Sequence, residues 1–393
     1  MLARILLLTV LGGIIAGLIG GALAWLIHRI QFLATGLGVV HPVVAAGLGG
    51  VLAGAGWWLL RRHGPVRGVE DTLLTDDRLP LRRTVADALL QILAVGSGVS
   101  LGREQAPRQA SAAVLDALAR RFTVPVEARR LLIGAAAGAG LAAVYNVPLA
   151  GLLFAVEVLP GRRTWRSVAV AALMSAIATV TAWLIMGIRP IYRFPEVAFD
   201  VTTLAWLAAA VPLTVVAGRG FLALVGLVQR HGVSSPAWLP LTVGVATAGV
   251  VAVSFVLPGV TGNGELIVRT AFDADSPAWV FLALLVAKPL LTAFSLGSGA
   301  VGGTLTPALA VGAALGGLVG VLVGVDPGLV AVFALIGAAG VLAVMQQSPL
   351  FAAVIAWELT WAPWWTLPLL VVVAVAAYGV DRWVRSAAAG RRP

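Results

Sequence analysis

The sequence predicts an all-α protein that crosses a membrane many times and is built as an inverted-topology internal repeat of broken, tilted helices. Three observations predict this. First, 60% of the 393 residues are hydrophobic and only 11% are charged, with mean hydropathy +0.99; a soluble domain carries about 25% charged residues. Second, apolar segments lie near 5–28, 43–60, 84–101, 104–118, 131–145, 148–159, 167–188, 202–229, 239–257, 279–296, 305–324, 328–345, 349–360 and 365–385. Many of them break at Gly or Pro and are too short to span alone. Third, blocks of the first half recur in the second, and interrupted helices at corresponding positions of two halves point to a transporter's binding site.

The apolar run Ile5–Ile27 lies between Arg4 and Arg29. It is too long for a signal-peptide core and reads as a retained first helix. The segment 43–60 is followed by loops carrying Arg61, Arg62, Arg67, Arg78, Arg82 and Arg83. With Arg120, Arg121, Arg129 and Arg130, and Arg382, Arg385, Arg391 and Arg392 near the end, these place the loops and the C-terminus in the cytoplasm by the positive-inside rule. The net charge of +10 and pI of 11.4 are therefore a topology signal and not a nucleic-acid signal. With no cysteine, thiol redox chemistry and Cys-metal sites are excluded, and four scattered histidines make no metal cluster. No cofactor is expected.

The segment 84–101 runs into Gly96-Ser97-Gly98-Val99-Ser100-Leu101-Gly102-Arg103-Glu104. Glycines there open the backbone to close approach. A carboxylate at membrane depth is a functional hypothesis by default. A helix starting after this break would turn free N–H groups and its positive dipole end inward, which favours an anion. Glu104 would occupy that anion position, and protonating or displacing it would vacate the site, making a gate and also a potential proton carrier. The alternative is that Glu104 pairs with Arg103 at a helix end.

The second half carries the counterpart. At a separation of 201, Gly96-Ser97-Gly98 matches Gly297-Ser298-Gly299, Gly102 matches Gly303, Pro148-Leu149 matches Pro349-Leu350, and Glu157 matches Glu358. The repeats are read as about 40–190 and 240–386, within a single transmembrane domain over 1–393 that has no soluble regulatory domain. The loop Gly161-Arg162-Arg163-Thr164-Trp165-Arg166 after Glu157 is basic, whereas Trp361-Ala362-Pro363-Trp364-Trp365 after Glu358 is an interfacial belt without charge. Equivalent ends thus face opposite sides, which makes the repeat inverted. Gly302-Gly303-Thr304-Leu305-Thr306-Pro307 is a second glycine-led helix start whose N–H groups complete an anion cage; the alternative is a helix-packing contact. Asp87 and Lys288 occupy equivalent positions, and we expect them to pair, since each alone is costly in a membrane.

Gly102-Arg103-Glu104, Gly303-Thr304-Leu305-Thr306-Pro307 and Asn146-Val147-Pro148-Leu149-Ala150-Gly151-Leu152-Leu153-Phe154-Ala155-Val156-Glu157 together resemble motifs of the CLC chloride channel and transporter family. The resemblance covers nearly the whole chain. It implies a homodimer in the plasma (inner) membrane, sometimes voltage-gated, with one anion pathway per subunit. It puts Glu104 on the gating glutamate and the backbone of Thr304 and Leu305 on the central anion site, beside Gly102, Arg103 and Gly303.

The departures from that pattern are specific. Gln105 stands where the family often has glycine, which restricts the swing of Glu104. The stretch His63-Gly64-Pro65-Val66-Arg67-Gly68 lacks the serine that touches the anion; His63 or a backbone N–H near Gly64 substitutes, or His63 is only a loop residue. Val158 stands at the position of the exchangers' proton-transfer glutamate. Glu157 serves in its place or, as its mate Glu358 suggests, braces the structure. Ala389 stands where an inner-gate tyrosine is expected.

The function implied is transport of chloride or a similar small anion, gated by Glu104 and channel-like or weakly proton-coupled. Proton/chloride antiport and fluoride or nitrate selectivity are the alternatives within the family. A secondary transporter of a small organic acid is the rival from another class. An enzyme is not expected, because no histidine pair, cysteine nucleophile or metal cluster is available.

Overall fold

The computed structural model describes residues 1–35, 40–62, 64–75, 77–161, 163–233 and 235–389. The described residues form sixteen α-helices: α1 (Leu2–Thr35), α2 (Pro42–Arg61), α3 (Val69–Thr75), α4 (Leu81–Ser97), α5 (Gln105–Arg121), α6 (Val126–Tyr145), α7 (Pro148–Leu153), α8 (Trp165–Met186), α9 (Thr202–His231), α10 (Leu239–Ser254), α11 (Glu265–Asp273), α12 (Ala278–Gly297), α13 (Leu305–Val323), α14 (Pro327–Gln346), α15 (Pro349–Thr360) and α16 (Thr366–Ala389). A π-helical turn, Phe154–Val158, continues α7. Nine helices among the described residues are long and apolar enough to cross a bilayer. The fold is that of an all-α, multi-pass membrane protein.

The order of elements repeats. Helices α4 to α8 are matched in order and approximate length by α12 to α16, and the short α3 is matched by α11. Sequence periodicity misses α3 and α11, which are too short to show an apolar period. The order also carries the correspondence back to the long helices α1 and α9, ahead of the first matched residues.

Local chemistry repeats with it. Proline opens α7, α14 and α15 at a first-turn position, where its missing N–H costs nothing. Helix α6 ends on Asn146 and α14 on Gln347, both left-handed, with φ of 59° and 55°. Helix α14 is apolar all round and is buried over nearly its whole length, as a central helix should be.

The breaks set the functional geometry. Helix α4 stops at Gly98, which takes φ +117°, and α5 starts only at Gln105. In the second half α12 stops at Gly297 and α13 starts at Leu305. The two linkers meet: the Gly102 N–H donates to the Gly303 carbonyl at 2.7 Å, and the Gly303 N–H donates back at 3.0 Å. This one antiparallel bridge brings the start of α5 beside the start of α13.

A second exchange ties the halves together. Both carboxylate oxygens of Glu157 accept from the start of α15, from Leu350 N–H at 3.2 Å and Phe351 N–H at 2.7 Å. Both oxygens of Glu358 accept from the start of α7, from Leu149 N–H at 2.9 Å and Ala150 N–H at 2.7 Å. Each glutamate thus caps the other repeat's short helix, satisfying amides that have no partner within that helix.

Glu358 is 7% exposed, so its amides cannot turn to water. Glu358→Ala is therefore expected to destabilise the protein by about 1.5–3 kcal/mol, the range for a hydrogen bond to a charged group. Glu157→Ala, at a more open site, is expected to cost less. Thermal unfolding of the purified protein in detergent checks the order; equal midpoints for both variants and the parent would refute reciprocal capping.

Candidate anion site

Glu104 is fully buried. It lies at the start of α5, yet its carboxylate caps the opposite helix: Oε1 accepts from Leu305 N–H at 2.9 Å, at the first residue of α13. Oε2 accepts from the Thr306 hydroxyl at 3.1 Å and from the Tyr145 hydroxyl at 3.2 Å. The backbone carbonyl of Glu104 accepts from Arg108 Nε at 3.1 Å, which steadies the first turn of α5. A negative group is thus held by a helix-start amide and two hydroxyls, all donors, at the positive end of a helix dipole.

The carboxylate rests on the two bridging glycines. A Cβ on Gly102 or on Gly303 would run into the Glu104 carboxylate. The sequence reading puts the Gly102 and Gly303 amides on the anion. In the structure each amide donates to the other glycine's carbonyl. What these residues offer the carboxylate is close approach, not hydrogen bonds. Thr304 is the residue from which α13 starts, and it sets the direction of the Leu305 amide.

The other candidates are placed as follows. Arg103 is 5% exposed, and its ion pair is with Glu265 and not with the Glu104 carboxylate. Its guanidinium lies 5.3 Å from the Tyr145 ring centre, and its Nη2 is 4.0 Å from Glu265 Oε2. Gly64 sits in a turn with φ +100°; its N–H donates to the Arg61 carbonyl and its carbonyl accepts from Arg83. It is not brought to Glu104. His63 lies outside the described residues. Ala389 is the last residue of α16. Glu157 is engaged in the cap of α15 and is not at the Glu104 site.

The expected Asp87–Lys288 pair is not formed. Asp87 accepts from Trp57 Nε1 at 2.8 Å and from Gln91 Nε2 at 2.7 Å. Lys288 Nζ donates to Ser100 Oγ at 2.9 Å, Val260 O at 3.1 Å and Gly262 O at 2.7 Å. Equivalent positions in a two-fold repeat touch only near the axis, as Gly102 and Gly303 do; Asp87 and Lys288 each find nearer partners. Ser100 belongs to the linker that carries Glu104, so Lys288 anchors that linker.

Sequence reasoning missed Tyr145 and the hydroxyl of Thr306. Tyr145 is one of only three tyrosines and ends α6 just before the Asn146-Val147-Pro148 break. That was the available signal, but nothing in the sequence says where the end of α6 points.

The model of the voltage gated chloride channel family matches residues 57–381, most of the chain, and the protein belongs to that family. A voltage-gated ClC-type chloride channel, ClcB, of Citrobacter koseri is 29% identical over 411 residues, covering 98% of this chain and 97% of the relative. Among solved structures, a slow cyanobacterial Cl⁻/H⁺ antiporter superposes with TM-score 0.84 at 21% identity, covering 97% of this chain and 95% of that one. A CLC-type fluoride/proton antiporter superposes with TM-score 0.78 at 22% identity, with the same coverage. These structural likenesses establish the shared fold. Family members are transporters or channels, not enzymes.

A methyl at residue 303 would take the seat of the carboxylate, and the displaced atoms are the end of a flexible side chain. Gly303→Ala is therefore expected to move the Glu104 carboxylate out of hydrogen-bonding distance of Leu305 N–H and to lower stability, because buried donors lose their acceptor. A structure of the variant checks this; a carboxylate still on that amide would contradict it.

Proposed function

We propose that this protein moves chloride or a similar small monovalent anion across the bacterial plasma membrane, and that Glu104 is the gate. One observation carries the reading: the Glu104 carboxylate occupies the helix-start position on Leu305 N–H that an anion would take. While it sits there, the pathway is blocked by a tethered anion. Protonation removes the charge that the dipole and the three donors favour, so the side chain leaves and a mobile anion replaces it. Flux should rise as pH falls.

The coupling is proposed to be weak or channel-like. Val158 offers no proton acceptor, and both oxygens of Glu157 are taken up by the start of α15. Proton-coupled antiport is the second reading, favoured by the two structural relatives, a Cl⁻/H⁺ and an F⁻/H⁺ antiporter. The close seating of the carboxylate against two glycines favours a small anion over an organic acid. The family assignment supports a homodimer in which each subunit carries its own site.

Reconstitution in liposomes with simultaneous chloride and proton recording tests this. The wild type is expected to conduct more anion at acidic than at neutral pH. Glu104→Gln, which mimics the protonated gate, is expected to hold flux at the acidic level throughout. An unchanged pH profile would remove Glu104 from gating. Uphill proton movement at a fixed ratio to chloride would establish antiport over the channel-like reading.

A further inference from the structure

We infer that Tyr145 and Thr306 are side-chain ligands of the transported anion: with Leu305 N–H they form a cage that holds the Glu104 carboxylate when the gate is shut and a halide-sized anion when it is open. The inference rests on the anion-transport reading and names the groups that bind the anion within it.

The argument starts from the use each hydroxyl makes of its proton. Several buried threonines return it to their own helix, as Thr214 does to Ala210 O, Thr247 to Val243 O and Thr360 to Ala356 O. Thr306, 1% exposed in the first turn of α13, turns its hydroxyl to Glu104 Oε2 instead. Tyr145, fully buried, does the same from the end of α6. Two hydroxyls from different helices and one amide therefore converge on a single acceptor.

When the carboxylate leaves, all three donors lose it together. A buried donor without an acceptor is costly, so an empty cage is the least favourable state. A neutral acceptor satisfies the hydroxyls but leaves the helix dipole without a charge, whereas an anion satisfies both. Departure of the gate and arrival of the anion are thereby linked as an exchange.

The surroundings have the same sign. Arg103 lies over the Tyr145 ring at 5.3 Å, and its Nε, buried, has no acceptor. Asn263, 9% exposed, presents its side chain to the Tyr145 hydroxyl. Arg103 and Asn263 thus put donor groups on the Tyr145 side of the cage.

The test uses Glu104→Ala as parent, which removes the tethered competitor. Chloride is titrated calorimetrically into the purified full-length parent and into its Tyr145→Phe, Thr306→Val and Thr306→Ser derivatives. Tyr145→Phe and Thr306→Val are expected to raise the chloride Kd about tenfold or more each, the loss of one hydrogen bond to a charge. Thr306→Ser keeps the hydroxyl and is expected to bind like the parent, which a packing role for the threonine methyl would not give. Parent-like affinity in both Tyr145→Phe and Thr306→Val overturns the cage. If either fails to fold, the other decides. A parent that binds no chloride would instead sink the anion-transport reading itself.

Discussion

Two glycines from opposite halves of the chain exchange backbone hydrogen bonds, and the geometry of the site follows from that contact. Gly102 and Gly303 can approach because neither carries a Cβ, and the space they leave is filled by the Glu104 carboxylate. The bridge fixes the starts of α5 and α13 side by side. A carboxylate on the first residue before one helix therefore reaches the first amide of the other. Without the bridge, each linker would present its own helix start to a different place, and the charge would have no seat.

The inverted repeat supplies this contact and also protects it. Glu157 and Glu358 each cap a short helix of the other half, with two hydrogen bonds apiece. Lys288 ties Ser100 of the first linker to the Val260 and Gly262 carbonyls between α10 and α11. Such ties are strong in a medium where an unsatisfied backbone group is expensive. They tie the linkers to their surroundings, and under the proposed gating only the Glu104 side chain has to move. A gate made of one side chain on a fixed scaffold needs only a change of charge to operate.

Much of this was legible in the sequence, and the limits are physical. Membrane class, the order of apolar segments, the glycine breaks and Glu104 could be read because they depend on composition and on local backbone needs. The pairing of Gly102 with Gly303 was half visible: their correspondence was clear, but sequence cannot say whether a glycine amide faces an anion or another carbonyl. Asp87 and Lys288 show the opposite failure, since equivalence under the repeat does not mean contact away from the axis. Tyr145 and the Thr306 hydroxyl stayed hidden because their role depends on where α6 ends relative to α13. The helices α3 and α11 stayed hidden because seven and nine residues carry too little periodicity.

The central claim is that carboxylate and anion compete for one position on Leu305 N–H. Anomalous diffraction from bromide-soaked crystals tests it directly, comparing the wild type at neutral pH with Glu104→Gln. The account predicts a bromide peak within hydrogen-bonding distance of Leu305 N–H in the variant and none there in the wild type. A bromide on that amide while Glu104 still occupies it, or a variant whose bromide lies elsewhere, would contradict the account.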